Sequence, residues 1–381
     1  MSLKLFLIEV FKKIDYSVQK NKLDNGVNGP YKDNETNVRK YAHLLVLYSN
    51  VIKSNLFSNS EDLKPRLNLI LKKLLNNPNY KSGAYFKSRT NTKKDEVNGV
   101  IGVAWVIEGL CASYEILKDE KILSFLNVVV SSIKFDNNRM LWERPTHNIN
   151  NKSGIDETFN HQLWLAYSFI YYSKVSNKNI SNDVRNFFKN LENHLNIHKE
   201  GLIKHALENR LGLKNIFKTI IKKFIVFFRS VANNTTTKYK ENGYHLFNMF
   251  AFARIKFLGH EDLFINSKKF KMSLSYSSSE KLFKELSSNK EETDFYKIST
   301  SSTLNYNRYG FPYNVSGFEF LYLNKIFKLN LEKISLNYID CQLKTYGYNY
   351  NSKKFEKKMN TEDEINLLLR VYELSFYINN E

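Results

Sequence analysis

Cysteine is nearly absent: Cys111 and Cys341 are the two in 381 residues. That excludes a disulfide framework and a Cys-rich zinc site, and the apolar neighbours of both mark them as inert core thiols. Proline is also scarce, with five residues in all. Nowhere do about 18 uncharged apolar residues run together, so no ordinary transmembrane helix is expected. Residues 1–11 begin like a signal peptide, but Glu9 interrupts the apolar run, Lys12 and Lys13 follow, and no small-residue cleavage site appears. A cytoplasmic protein is expected. The eight histidines form no HExxH pair, and no P-loop or strand-borne GxGxxG is present. No metal site and no cofactor are therefore expected.

What the chain does have is positive charge and aromatic residues. It carries 57 Lys+Arg against 38 Asp+Glu, a formal charge of +19, with 28 Phe and 24 Tyr. Its length and 42% hydrophobic content can bury a large core. The lysines are spread along the whole chain and no nucleic-acid-binding signature accompanies them, so nucleic acid is not an expected partner. One basic stretch is more pointed. At 214–230, Ile216, Phe217, Ile220, Ile221, Phe224, Ile225 and Phe228 recur at helical spacing beside Lys214, Lys218, Lys222 and Lys223. Such a helix either packs on its own domain or lies on an anionic membrane surface, which would make the protein peripheral at the inner face.

Helical periodicity dominates the rest. It predicts helices over 35–54, 61–75, 98–117, 121–133, 157–172, 181–194, 214–230, 243–258 and 361–377, the last opened by a Thr361/Glu364 capping box. Loops at 28–33, 82–89, 142–156, 239–242 and 306–314 separate helix pairs. About six hairpins in this length predict a single all-α domain over 1–381, an (α/α)6-type toroid of helical hairpins around a central cleft. The Ser/Lys/Glu-rich segment 267–303 reads as a low-complexity excursion between hairpins.

Polar and aromatic residues cluster at the mouths of these hairpins. GIDETFNHQLW at 154–164 places Asp156, Glu157, Asn160, His161 and Trp164 in or just before the first two turns of a helix. ENGYHLFN at 241–248 brings Tyr244 one turn from Asn248, and Glu241 one turn from His245. YGFPYNVSGFE at 309–319 offers Tyr313 and Asn314 ahead of Glu319. GPYKDNETNVRKYAH at 29–43 aligns Glu35, Arg39 and His43. NGVIGVAWVIE at 98–108 sets Trp105 one turn from Glu108, with Gly99 and Gly102 read as allowing close helix approach. Converging at one end of a toroid, these groups suit an oligosaccharide or polysaccharide: rings stack on C–H faces while polar groups bond hydroxyls.

FNHQLW resembles the Asn-His-x-x-Trp helix of (α/α)-toroid polysaccharide lyases of the alginate-lyase and heparinase II/III-like kinds. ENGYHLFNMF is similar to their later segment that opens another inner helix. The broader pattern resembles the six-hairpin glycosidase-like enzymes, uronyl hydrolases and sugar epimerases among them. GPYKDNETNVRKYAH and YGFPYNVSGFE resemble proteins associated with surface-polysaccharide synthesis. The resemblance implies proton abstraction from a uronate. Asn160 would neutralise its carboxylate, Arg39 would grip it bidentately, His161 or Tyr244 would remove the proton, and a Tyr would protonate the leaving oxygen. A Tyr base would need its pKa lowered by a nearby Arg or His⁺. His245 is the fourth catalytic candidate. Two other readings stay open. One is glycoside hydrolysis, with Asp156, Glu157, Glu319 and Glu35 as the available carboxylates. The other is a non-catalytic glycan-binding or assembly protein at the cytoplasmic membrane face.

Overall fold

A computed structural model describes residues 3–147, 154–207, 216–288 and 305–379, with side chains inside 216–236 excepted. The chain forms fifteen helices among these residues. The first five are α1 (Leu3–Gln19), α2 (Asn37–Lys53), α3 (Lys64–Leu75), α4 (Gly99–Leu117) and α5 (Glu120–Ser131). Next come α6 (Phe159–Val175), α7 (Asn182–Lys189), α8 (Leu191–His194), α9 (Ile216–Phe257) and α10 (Lys268–Ser277). The last five are α11 (Glu280–Ser287), α12 (Ser316–Phe327), α13 (Glu332–Thr345), α14 (Glu364–Leu369) and α15 (Tyr372–Ile378).

Packing closes a ring. Helix α2 lies against α4, α4 against α6, α6 against α9, α9 against α12, α12 against α15, and α15 returns to α2. Outside it, α3 packs on α2, α5 on α4, α7 on α6, α10 and α11 on α9, and α13 on α12. This is the expected (α/α)6 toroid. Burial separates the two layers. In α3 the buried residues are Leu67, Ile70, Leu71 and Leu74, a single stripe at helical spacing. In α2, α4 and α6 almost every residue is buried, because one face meets the toroid axis and the other meets the outer layer. Helix α4 is, among the described residues, the one long and apolar enough to cross a membrane, and most of it is buried in the toroid. Gly109 lets it approach α2: a Cβ there would stand 2.7 Å from the Ala42 carbonyl oxygen.

The connections are unequal. Inner-to-outer connections are the shorter set, from two residues between α4 and α5 to ten between α2 and α3. Outer-to-inner connections are long and gather at the N-terminal end of the inner helices. Three of them carry antiparallel two-stranded hairpins: β1 (Tyr80–Ser82) with β2 (Tyr85–Phe86), β3 (Phe135–Asp136) with β4 (Leu141–Trp142), and β5 (Tyr348–Asn349) with β6 (Lys354–Phe355). One end of the toroid therefore carries the loops that can build a site.

Several expectations change. Residues 239–242 are not a loop; α9 runs through them, and its Gly243 is held where a Cβ would fall 2.4 Å from Tyr309 Cβ. Tertiary packing outweighs the roughly 1 kcal/mol helix cost of glycine. The excursion at 267–303 contains α10 and α11. The Ser267 and Ser279 side chains accept from the Phe270 and Leu282 amides, and Phe270, Leu282 and Leu286 are buried. The remainder, 289–303, lies outside the described residues. The last helix is two, α14 and α15, capped by Asp363 rather than Thr361; the Thr361 hydroxyl donates to the Pro312 carbonyl instead. The 214–230 helix continues into α9 from Ile216, and the proposed lipid-facing side chains lie outside the described residues.

Candidate functional site

At the loop-bearing end, a cavity of about 150 Å³ opens on the toroid axis. Each wall comes from a different inner helix or the loop before it. Arg39 comes from α2, Ile101 and Trp105 from α4, Asn160 and His161 from α6, Lys240, Tyr244 and Phe247 from α9, and Arg370 from the α14–α15 junction. The loops add Asn28, Tyr31, Arg89, Asn98, His205, Tyr313 and Asn314. Among the described residues the lining contains no carboxylate. The N-termini of α4 and α6 point into this end, adding positive potential to the arginines and lysine.

His161 is anchored through its ring. Its Nδ1 lies 2.7 Å from Asp156 Oδ2, leaving Nε2 for the cavity. Asp156 is buried and also accepts from the Val100 and Thr158 amides at 2.8 and 3.2 Å. Burial alone would raise its pKa, but the His161 charge and hydrogen bond and the Val100 amide outweigh that and hold it at about 2. Gly99 makes the pair possible. Its φ is +60°, and a Cβ would sit 1.8 Å from Asp156 Oδ2 and 2.5 Å from His161 Nδ1. Its place is thus in the site, where the sequence suggested helix packing.

Facing His161 is a phenol pair. The Tyr31 and Tyr244 hydroxyls are 3.0 Å apart. Burial and the neighbouring Tyr31 raise Tyr244 well above the ordinary phenol value. The lowered pKa that a Tyr base needs is not met at Tyr244. His205 packs 5.3 Å from the Tyr244 ring. Desolvation, with Lys240 and His161 nearby, pushes it down to about 3, so it is neutral. Its segment is fixed by Glu241, which accepts from the His205 amide at 3.1 Å and pairs with His198 Nε2 at 2.7 Å. The His205 carbonyl in turn accepts from the Phe159 amide at the start of α6, which brings the two imidazoles to one cavity.

Two buried guanidiniums form the floor. Arg39 lies 4.4 Å over the Trp105 ring and donates from Nη1 to Glu35 at 3.0 Å, while its Nε and Nη2 have no partner among the described residues. Arg370 donates to Asn314 Oδ1 at 2.7 Å and to Glu319 at 3.0 Å, contacts Glu373, and leaves Nε unpaired. The loop carrying Asn28 and Tyr31 is pinned by Asp363, which accepts from the Val27 and Gly29 amides at 2.9 and 3.0 Å.

Of the residues singled out from sequence, Arg39, Trp105, Asn160, His161, Tyr244, Tyr313 and Asn314 line the cavity. Asp156, Glu35 and Glu319 stand one layer behind, bonded to His161, Arg39 and Arg370. His43 is buried between Trp105 and Tyr372. Trp164 stacks on Phe247 at 4.7 Å, and Asn248 donates to the Tyr244 carbonyl at 2.9 Å. Glu157 pairs with Arg139 away from the cavity at 3.3 Å. His245 points outward to α10, with Nε2 at 3.0 Å from the Ser277 hydroxyl. The sequence reading missed Asn28, Tyr31, Arg89, Asn98, Ile101, His205, Lys240, Phe247 and Arg370 as site residues. Arg89 and Lys240 fell in or beside recognised loops, but His205 and Arg370 carry no local signal.

No protein-family model matches the chain. It is 29% identical over 237 residues to archaeal glycosylation protein Q of Haloferax volcanii, a match covering 60% of this chain and 63% of that protein. The match thus spans less than two thirds of the relative. In three dimensions the chain is similar to a cellobiose 2-epimerase from Bacillus thermoamylovorans, with a TM-score of 0.58, 11% identity and 98% of each chain covered. A GH76 α-mannanase of Bacteroides thetaiotaomicron gives a TM-score of 0.49 and 10% identity, covering 92% of this chain and 88% of that one. The likeness to the epimerase structure shows the fold, an (α/α)6 toroid.

Proposed function

We propose that this protein acts on a single uronate residue of a glycan under assembly, removing the proton beside the carboxylate and then either returning one to the opposite face, as an epimerase, or expelling the neighbouring oxygen, as a lyase. The observation that carries this reading is the lining itself: guanidiniums, imidazoles and phenols, with no carboxylate among the described residues. Arg39 lines the cavity, and its Nε and Nη2, buried without a partner among the described residues, are the guanidinium pair that would grip a carboxylate bidentately. That grip, aided by Asn160, withdraws charge from the adjacent carbon and stabilises the enolate formed when its proton leaves. His161 Nε2 takes the proton, and Asp156 stabilises the resulting imidazolium through Nδ1. Tyr244, kept protonated, returns a proton from the other side or delivers it to a leaving oxygen.

The cavity is smaller than the roughly 300–1,000 Å³ of sites for drug-sized ligands. Room for one ring favours inversion at a single residue over cleavage inside a polymer. Glycoside hydrolysis would need two carboxylates across the scissile bond, and Asp156, Glu35 and Glu319 are each engaged by a cation or imidazole. The glycosylation relative supports a place in glycan assembly.

The test is solvent exchange. Glucuronate and glucuronate-terminated oligosaccharides are incubated with the protein in D₂O and followed by proton NMR, with ultraviolet absorbance reporting any unsaturated product. Deuterium at the carbon beside the carboxylate, abolished by His161→Ala, is the expected result. Release of reducing ends without exchange would move the chemistry to carboxylates and overturn the proposal.

A further inference from the structure

Beyond the deep arginines, the cavity has a second set of cations at its mouth. Lys240 stands 5.3 Å over the Tyr31 ring and 5.7 Å over Tyr244, and no acceptor meets its ammonium among the described residues. Arg89, from the loop before α4, is held by neutral groups: it donates to the Asn98 side-chain oxygen and to the Asp95 carbonyl at 3.5 Å. Its Nε is buried without a partner. The deep pair differs, since Arg39 and Arg370 each have a carboxylate in contact. The site therefore holds two cations on separate walls that make no ion pair among the described residues, both partly exposed while Arg39 and Arg370 are fully buried.

Two cations gathered at one rim without an ion pair create a positive potential that draws an anion, so they argue for an anion in the functional complex. Its position says which kind. A cavity for one sugar ring forces whatever the sugar is attached to out through the rim, past Lys240 and Arg89. A carboxylate presents two oxygens in one plane and suits a single guanidinium fork, as at Arg39. A tetrahedral phosphate presents oxygens in several directions and can bridge an ammonium and a guanidinium from different walls.

We propose that the substrate is a uronate joined through its anomeric oxygen to a phosphate, and that Lys240 and Arg89 seat that phosphate at the cavity rim. This rests on the uronate reading above and deepens it: the sugar is handled while attached to a phosphate carrier. Lys240 is pushed down to about 8 by burial, with Arg89 adding to the effect and Glu241 opposing it, as expected of a cation awaiting its counter-ion.

Calorimetric titration of the full chain tests this with glucose, glucuronate, glucuronate 1-phosphate, UDP-glucuronate and a short-chain isoprenyl phosphoglucuronate. A charge-assisted contact worth about 1.5 kcal/mol or more predicts at least about tenfold tighter binding of the phosphorylated forms than of glucuronate. Lys240→Gln and Arg89→Gln should shrink that ratio. Tightest binding of the nucleotide form assigns a soluble carrier, and tightest binding of the isoprenyl form a lipid carrier; both uphold the proposal. Equal affinities for glucuronate and its phosphate, or a ratio untouched in both variants, overturn it. Failure of the uronate reading has its own signature, glucuronate binding no better than glucose.

Discussion

Arg370 is the residue whose removal tests the electrostatics of the toroid most directly. It is 2% exposed and faces Glu319 and Glu373, both fully buried, so one cation serves two carboxyl groups. Burial, and for Glu319 also the charge of Glu373, raises both above the ordinary carboxyl value while Arg370 opposes the rise. The two carboxyls titrate as a unit, and burial pushes that unit toward sharing a proton. In Arg370→Met the carboxylate that was paired must also be protonated to stay buried. A carboxyl whose folded pKa lies above its unfolded value near 4.3 loses stability as pH rises, by about 1.4 kcal/mol per pH unit until the folded pKa is reached. Breaking a buried ion pair costs roughly 3–5 kcal/mol, and the loss in the variant should grow as pH rises from about 5 to about 7.5. Urea unfolding followed by circular dichroism at both pH values measures the gap. A gap that stays constant with pH would falsify the shared-proton description.

Other outcomes follow from the same geometry. Gly99→Ala places a methyl group on Asp156 and His161 at positive φ; it should abolish solvent exchange and cost about 1–3 kcal/mol of stability, read by D₂O exchange and urea unfolding. His245, turned to Ser273 and Ser277 and held at about 3 by burial, should behave as a structural residue. His245→Gln should lower stability by about 1–3 kcal/mol while the exchange rate is unchanged. Its folded pKa lies below the unfolded value near 6.5, so it costs stability as pH falls below that value. The variant's acid limb should be shallower in urea titrations from neutral to about pH 4.5. Lys240, facing Tyr31, Tyr244, Arg89 and Glu241, loses its charge as pH rises through about 8, so calorimetry should show the preference for phosphorylated uronate weakening on that limb.

Local sequence order carried much of the architecture. The apolar stripe at Leu67, Ile70, Leu71 and Leu74 is a periodicity of neighbouring residues, so that segment reads as a helix without knowing what lies opposite. Arg39, Asn160, His161 and Tyr244 were visible for a related reason: each sits within a turn of another polar residue near a loop or helix start. The continuity of α9 through Gly243 was not visible, because the packing of Tyr309 that compensates the glycine comes from some sixty residues away. Likewise the serines that cap α10 and α11 read as low complexity until their apolar partners are in place.

By itself, then, the order of residues determined an all-α chain of hairpins and a concentration of polar and aromatic groups at loop ends, since these depend on spacings of a few residues. Only the tertiary structure decided which of those groups share a cavity. It joined His161 to His205 through a backbone bond between α6 and a distant loop, turned His245 away from its neighbour Tyr244 to the outer layer, and set Arg370 on the floor by closing α15 against α2. Those placements depend on how six hairpins close into a ring, and ring closure is a property of contacts between residues far apart in the chain.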